Sequence, residues 1–501
     1  QGCSRPRSRT PRTHLQPWPW DPTDHASGAR AGTLALRSPV PITFMSSASV
    51  AVIGGGISGL TAAYQLHKEG TSFVLIEKSD RLGGLIFTEQ VADFTIDAGP
   101  DSLLIQKPAA IELCVELGLH NQLVSTLQPR TAYIVRNGKL HPIPQGSVFG
   151  IPTNLEALLA SHYLSPQAKI RMAQDLVLPP KTDESDESVA SFFRRRFGKE
   201  TVDYLASPLL AGIHAGNVEQ LSMHALFPRL VEAERRQGSV MSAFRNRPTG
   251  STSTTSTHGL FRSLTGGLQT LTTALTQSLP NSVVKSGGEA TSISGSGPFS
   301  VTLSSGENLS FDKVIFATPA YATSAIVQSL APELSNLISS IPYTSIATVA
   351  IAYPRSSIDQ LLNGTGFVVP EIEPDLSIAA CTWISSKWPG RSPESHVLLR
   401  SFVGGSRAPQ ALSQSDQTLI TTVQHDLRSL LDIRVPASLA RVYRWPRANP
   451  QPHVGHLELV AQIDRHLSTY PGLQIIGAAL RGVGIPDCIA AGRAAGHAAA
   501  Q

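Results

Sequence analysis

The sequence predicts an α/β fold, and three observations predict it. Residues 50–77, VAVIGGGISGLTAAYQLHKEGTSFVLIE, read as strand, glycine turn, helix, strand. Runs with the same buried-strand character return more than two hundred residues later, at 313–317 (KVIFA) and again at 473–476. The 501 residues exceed one ordinary domain, so a discontinuous parallel-sheet domain interrupted by insertions is expected.

Composition narrows the class. The chain is 41% hydrophobic and 16% charged, with a net charge of +4 and 6% aromatic residues, which suits a globular enzyme and argues against nucleic acid as the main partner. Cys3, Cys114, Cys381 and Cys488 are scattered without a C-x-x-C, so no metal site is expected and a reducing, cytoplasmic setting is. No apolar run reaches the roughly 18 residues of a membrane span. Residues 1–44 carry Arg5, Arg7, Arg9, Arg12, Arg30 and Arg37 against only Asp21 and Asp24, and read as a disordered leader. Two accounts stay open: an extension upstream of a start at Met45, which is favoured, or an organelle transit peptide.

The 50–53 run is continuously apolar, as a buried parallel strand is. Gly54, Gly55, Gly56, Ile57, Ser58 and Gly59 follow as G-x-G-x-x-G, and Leu60, Ala63, Tyr64 and Leu66 share one face of the next helix. Such a turn brings a pyrophosphate against the backbone at a helix N-terminus, where free N–H groups and the dipole favour anions. Glu77 ends the second strand, placed to accept from a ribose. Lys78 and then Arg81, Leu82, Gly83, Gly84 and Leu85 follow. This R-x-G-G element resembles the second signature of flavoproteins related to amine oxidases and phytoene desaturases. A strand at 94–96 leads into the tight loop Asp97, Ala98, Gly99, Pro100, Asp101, Ser102, which in those proteins lies beside the flavin ring.

A helix is expected over 109–119, closed by Gly118. Asn137-Gly138 between alternating runs predicts a hairpin, with Arg130 at the mouth of its sheet, where a guanidinium can hold a carboxylate. Residues 154–238 are the most helical. Leu155, Leu158, Leu159 and Tyr163 form one apolar stripe. Asp186 or Ser188 is a candidate cap for a helix carrying Phe192, Phe193 and Phe197 with Arg194, Arg195 and Arg196. That helix has two readings, a solvated charged face or a helix lying on an anionic membrane. Gly212 and Gly216 permit close approach to the backbone. Residues 249–258 are a polar linker. A helix follows Gly266-Gly267, hairpins are expected over 283–311, and strands and helices alternate over 321–446, with a helix at 416–431. The last segment pairs the 473–476 strand with Ala478, Gly482, Val483, Gly484 and Ile485 and a small-residue helix over 488–499. Pro486 and Asp487 suit that helix's first turn.

Together these residues resemble the protoporphyrinogen oxidase family of the flavin amine oxidase superfamily, including its coproporphyrinogen III oxidases that form coproporphyrin. The likeness runs from about 50 to 499 and is most specific at 208–217, 220–223, 263–268 and 481–489. It implies a p-hydroxybenzoate-hydroxylase-type FAD domain (46–125, 260–320, 446–501), a mixed-sheet substrate domain (126–152, 321–445), a helical domain that touches membrane in relatives (153–248) and a linker (249–259). It further implies FAD, a porphyrinogen oxidised in three two-electron steps, and molecular oxygen as acceptor with hydrogen peroxide as product. No catalytic triad is implied, since hydride passes to the flavin. The carried-over FAD contacts are Gly54 to Gly59, Glu77, Lys78, Arg81, Gly83, Gly84, Leu85, Gly99 to Ser102, Ala290, Ala478, Val483, Gly484 and Ile485. Arg130 matches a propionate-binding position, and Gly212 and Phe367 match pocket positions. Ala290 replaces a larger aliphatic residue of relatives, and Leu85 a tryptophan found in some. A peripheral membrane surface and the next haem-pathway enzyme are possible partners, and monomer or homodimer stays open. So do three alternatives: an amine oxidase, a carotenoid desaturase, and a non-enzymatic tetrapyrrole carrier.

Overall fold

The computed structural model describes residues 48–145, 147–245, 259–358, 362–373 and 375–501. The leader 1–44, Met45 and the polar run 249–258 lie outside the described residues.

A five-stranded parallel sheet forms the frame. Its order is Val284–Ser286, Phe73–Glu77, Val50–Ile53, Lys313–Phe316, Leu473–Ile475. The central strand is buried throughout, because both faces of a parallel sheet are covered. On one face lie the first helix, Ile57–Lys68, and the terminal helix, Ile485–Ala500, joined through Leu60, Leu66, Ile489 and Ala495. On the other, Ile53, Val314 and Phe316 pack with an antiparallel sheet of Ala290–Ser294, Phe299–Leu303 and Asn308–Phe311 and with the helices Ala320–Val327 and Pro332–Ser339. The hairpin expectation over 283–311 therefore needs one correction. Val284–Ser286 is a parallel edge strand beside Phe73–Glu77, and only the three later strands fold back on one another.

The second sheet has seven strands, ordered Leu439–Pro450, Tyr343–Pro354, His396–Gly404, Ala380–Trp383, Gly366–Val368, Ala132–Arg136, Lys139–Pro142. All neighbours are antiparallel except Gly366–Val368 with Ala132–Arg136. The Asn137-Gly138 turn has φ of 52° and 68° at its two residues, the left-handed pair a tight hairpin demands. The helix Asp416–Leu431, capped by Ser415, lays Leu419, Val423 and Leu427 on one face of this sheet.

Helices fill the region between residues 155 and 245, around a core that includes Leu158, Tyr163, Phe192, Phe193 and Phe197. The expected apolar stripe splits. Leu158 and Tyr163 are buried, whereas Leu155 is 68% and Leu159 60% exposed. Ser188 is the cap of Val189–Phe197, accepting from the Ser191 N–H at 3.1 Å. Asp186 instead accepts from Ser222 Oγ and the Gly455 N–H. The three arginines of this helix do not share one face: Arg194 is exposed and pairs with Glu219, while its two neighbours turn inward. Arg196 is fully buried and paired with Asp175 at 2.5 Å, and Arg195 pairs with Glu187 and Glu234. A charged face that finds carboxylates inside the fold folds inward. Pro208 sits inside a π-helical segment, Val202–Ala211, which leads into Gly212.

Candidate functional site

The first cradle is made by backbone. Gly54 (φ 108°) donates to Ile76 O at 2.8 Å and turns the chain into the first helix. A Cβ on Gly59 would lie 1.8 Å from Gly54 O, so only glycine lets turn and helix touch. Gly56 is the N-cap, has no side-chain hydrogen bond over it, and a Cβ there would meet nothing within 4 Å. The helix N-terminus is therefore open, and with Ile57 and Ser58 it fits a pyrophosphate. Glu77 accepts from the Gly55 N–H at 2.7 Å and from Ser79 N–H and Oγ at 2.9 and 2.8 Å. Those bonds use three of about four acceptor positions, leaving room for one hydroxyl. Ala290 is buried at the start of a strand brought beside Glu77 by the Gly288 N–H to Glu77 O bond, 3.0 Å. Lys78 is exposed at the mouth.

Gly83 and Gly84 close over this turn. The Gly83 N–H donates to Gly55 O at 2.8 Å, and a Cβ on Gly84 would come within 3.1 Å of Gly56 Cα. Arg81 differs from expectation. Its guanidinium donates to the carbonyls of Leu82, Gly84 and Ile86 and stacks on Phe87, so it organises its own turn.

The terminal helix completes the cradle. A Cβ on Gly492 would lie 2.5 Å from Ser58 O, and one on Gly496 2.7 Å from Ala62 O. The pairing advances in the same direction on both helices, so they run parallel and their N-termini face the same end. By that register the terminal helix starts six residues, nearly two turns, beyond the first. It begins at Ile485, three residues before the sequence expectation, with Gly484 as an N-cap that has no side-chain hydrogen bond over it. Ala478, Val483 and Ile485 are half-buried beside it. Asp487, expected to complement the dipole, is also held by Lys107 at 2.7 Å. Two open helix ends nearly two turns apart, about 9 Å along the axis, would suit the anionic groups of a long dinucleotide cofactor.

The loop at 97–102 joins cradle to second sheet. A Cβ on Gly99 would lie 2.1 Å from Leu85 O, so Leu85 presses on the loop by its backbone while its side chain is 46% exposed. Asp101 is buried and held by Lys387 (3.0 Å), Arg400 (3.3 Å), Trp388 Nε1 (3.3 Å) and Ser102 Oγ (2.6 Å). Burial alone would raise its pKa, but Lys387 and Arg400 outweigh burial and hold the carboxyl well below the usual range. Asp97 is pushed up by burial, though Arg391, Thr88 Oγ1 and the Leu268 N–H all favour its charge. The carboxylate of Asp101 is thus committed within the protein. Lys387, Arg391 and Arg400 escaped the sequence reading. Arg400 carried one signal, a charge inside the apolar strand run HVLLRSFVG.

A cleft opens between the helical segment and the second sheet, lined by Pro208, Gly212, Ile346, Ala380, Phe402 and Arg407. Gly212 lines this cleft. Phe367 does not: it is buried in the core with Leu419 and Val423, edge-on to Trp383 at 6.3 Å. Strand alternation explains the miss, because Phe367 points to the helix-covered face and its neighbour Val368 to the other. Arg130 does not line this cleft. It donates to Thr126 Oγ1 at 2.7 Å and to Thr126 O at 3.1 Å, next to Gly259 and Arg262.

Residues 57–499 match the model of the flavin containing amine oxidoreductases. The coproporphyrinogen III oxidase of Bacillus subtilis (strain 168) is 38% identical over 457 residues, covering 89% of this chain and 96% of that protein. The mitochondrial protoporphyrinogen oxidase of Nicotiana tabacum is 29% identical, covering 89% and 94%. A crystal structure from Exiguobacterium sp. 255-15, provisionally named protoporphyrinogen oxidase, superposes with a TM-score of 0.79 at 32% identity, covering 91% of this chain and 99% of that one. Reduced UDP-galactopyranose mutase shares the fold alone, at 19% identity and a TM-score of 0.68. The chain belongs to the flavin containing amine oxidoreductase family and is an FAD-dependent oxidoreductase.

Proposed function

We propose that the chain oxidises a porphyrinogen of haem biosynthesis to the porphyrin, coproporphyrinogen III before protoporphyrinogen IX, with molecular oxygen as final acceptor and hydrogen peroxide as product. One observation carries the reading: the relatives that match nearly the whole chain are named for these two oxidations. The cradle at Gly54 to Gly59, Glu77, Gly83 and Gly84 supports FAD binding, and Gly484 and Ile485 at the second helix end would hold its other part. When bound, FAD accepts electrons two at a time. The protein residues bind, orient and exclude water. Aromatisation drives the reaction, so little acid–base help is required. Gly212, which lines the cleft, would let a flat macrocycle approach the helical wall, and Arg130, held by Thr126 outside that cleft, would take a propionate that reaches beyond it. Exposed apolar side chains on the helical segment, Leu155, Leu159, Ile170, Val177 and Ile213, support a peripheral contact with a membrane or a pathway partner. No described helix is long and apolar enough to cross a membrane.

The test is purified flavoprotein offered each porphyrinogen in turn. Anaerobic bleaching of the flavin, then porphyrin fluorescence and peroxide on admitting air, is the expected sequence. Retained yellow colour with both substrates would instead favour a carrier or an amine oxidase.

A further inference from the structure

Arg407 follows the strand His396–Gly404 and lines the cleft together with Gly212 and Phe402. Its Nη1 donates to Val369 O at 3.0 Å and to Ile378 O at 3.4 Å, and its Nη2 to Leu376 O at 2.6 Å. Three of five donors are thereby used. The two that remain, on Nε and Nη2, are those that fork a carboxylate from the side. The carbonyls fix the guanidinium plane but leave its charge unmatched, and among the described residues Arg407 is in no ion pair. Glu371, the carboxylate whose charge acts most on Arg407, lines the same cleft beyond ion-pair distance and is exposed. Asp426, on the helix behind, acts less and is engaged by the Ser377 and Ile378 N–H groups.

The sheet register places this charge relative to Arg130. Thr131 O accepts from the Thr365 N–H at 2.8 Å, so Arg130 sits at the row of residue 364. Arg407 sits at Val369, and five residues of extended strand span roughly 16 Å. The two cations therefore stand towards opposite ends of the Gly366–Val368 strand. A tetrapyrrole with propionates on every ring can meet both. One with propionates on two adjacent rings can meet only one.

We infer that Arg407 is the carboxylate anchor inside the cleft, complementary to Arg130 outside it, and a determinant of preference for a substrate with acidic chains on opposite rings. This rests on the cleft being the porphyrinogen site. The test uses the flavin-loaded full chain with Arg407→Met, Arg407→Lys and Glu371→Gln, measuring kcat and KM separately on coproporphyrinogen III and protoporphyrinogen IX, with flavin content and Tm as controls. Arg407→Met is expected to raise KM for coproporphyrinogen about tenfold, the worth of one charge-assisted pair, and to change protoporphyrinogen much less. Arg407→Lys should recover part of the loss, and Glu371→Gln should lower KM for coproporphyrinogen. Equal changes with both substrates, or a lowered Tm with KM unmoved, would reduce Arg407 to a structural staple and overturn the inference. If the unmutated protein oxidises neither porphyrinogen, the proposed function fails and the anchor with it.

Discussion

The nucleotide cradle and the cleft under the helical segment are built by opposite means. The cradle is backbone against backbone, with Gly54, Gly59, Gly84, Gly492 and Gly496 at points where a Cβ would collide. The cleft leaves open space: a Cβ on Gly212 would meet nothing within 4 Å, and a side chain, Arg407, reaches carbonyls about 30 to 40 residues upstream. Close backbone contact tolerates one residue type and so writes itself into the sequence. A cleft tolerates many, and its occupants are set by sheet register.

That contrast can be broken most sharply at Gly59. Gly59→Val should yield a colourless protein, since the side chain must displace Gly54 O; flavin absorbance per chain measures it. A yellow Gly59→Val would end the backbone account of the cradle. Next in size is the junction of the two regions. Asp101→Asn leaves Lys387 and Arg400 facing a neutral group in a buried site, a loss of about 3–5 kcal/mol in denaturant unfolding. The sign with pH follows from the depressed carboxyl. Its contribution is full above the unfolded value of 3.8 and drains as pH falls below it, and the variant should lack that acid loss.

His214, two residues beyond Gly212, is pushed down from 6.5 to about 4 by burial. The unfolded chain then binds a proton that the folded one refuses, so stability declines as pH drops from 6.5 towards 4, by about 3 kcal/mol at most. His214→Gln should flatten the Tm profile across that window; an unchanged slope would remove His214 as its source. Arg130→Ala is expected to raise KM or lower kcat by about tenfold with normal flavin content, and an unaltered rate would take Arg130 out of the site. Smallest in stability is Gly212→Ala, which adds a methyl into open space. Its Tm should hold while kcat/KM falls, and a Tm loss would mean that the cleft wall is packed after all.

The strands 50–53 and 73–77, the Asn137-Gly138 hairpin and the helix at 416–431 were legible because periodicity and turn chemistry act locally. Val284–Ser286 was not, because an edge strand of three residues reads like one arm of a hairpin. Arg195 and Arg196 read as part of a surface run because their carboxylates, Asp175, Glu187 and Glu234, are 8 to 39 residues away in sequence. Phe367 was misplaced by a single step of strand alternation, which flips a side chain to the other face.

The parallel pairing of residues 57–68 with 485–500 also sets an order of events during synthesis. More than four hundred residues must leave the ribosome before Gly492 can reach Ser58. A nascent chain therefore presents one half of its dinucleotide grip until residues 485–500 emerge, and long-range closures of this kind are slow. A coenzyme gripped by both helix ends would have to wait for that closure, and a shortage of FAD would leave the seam unsealed.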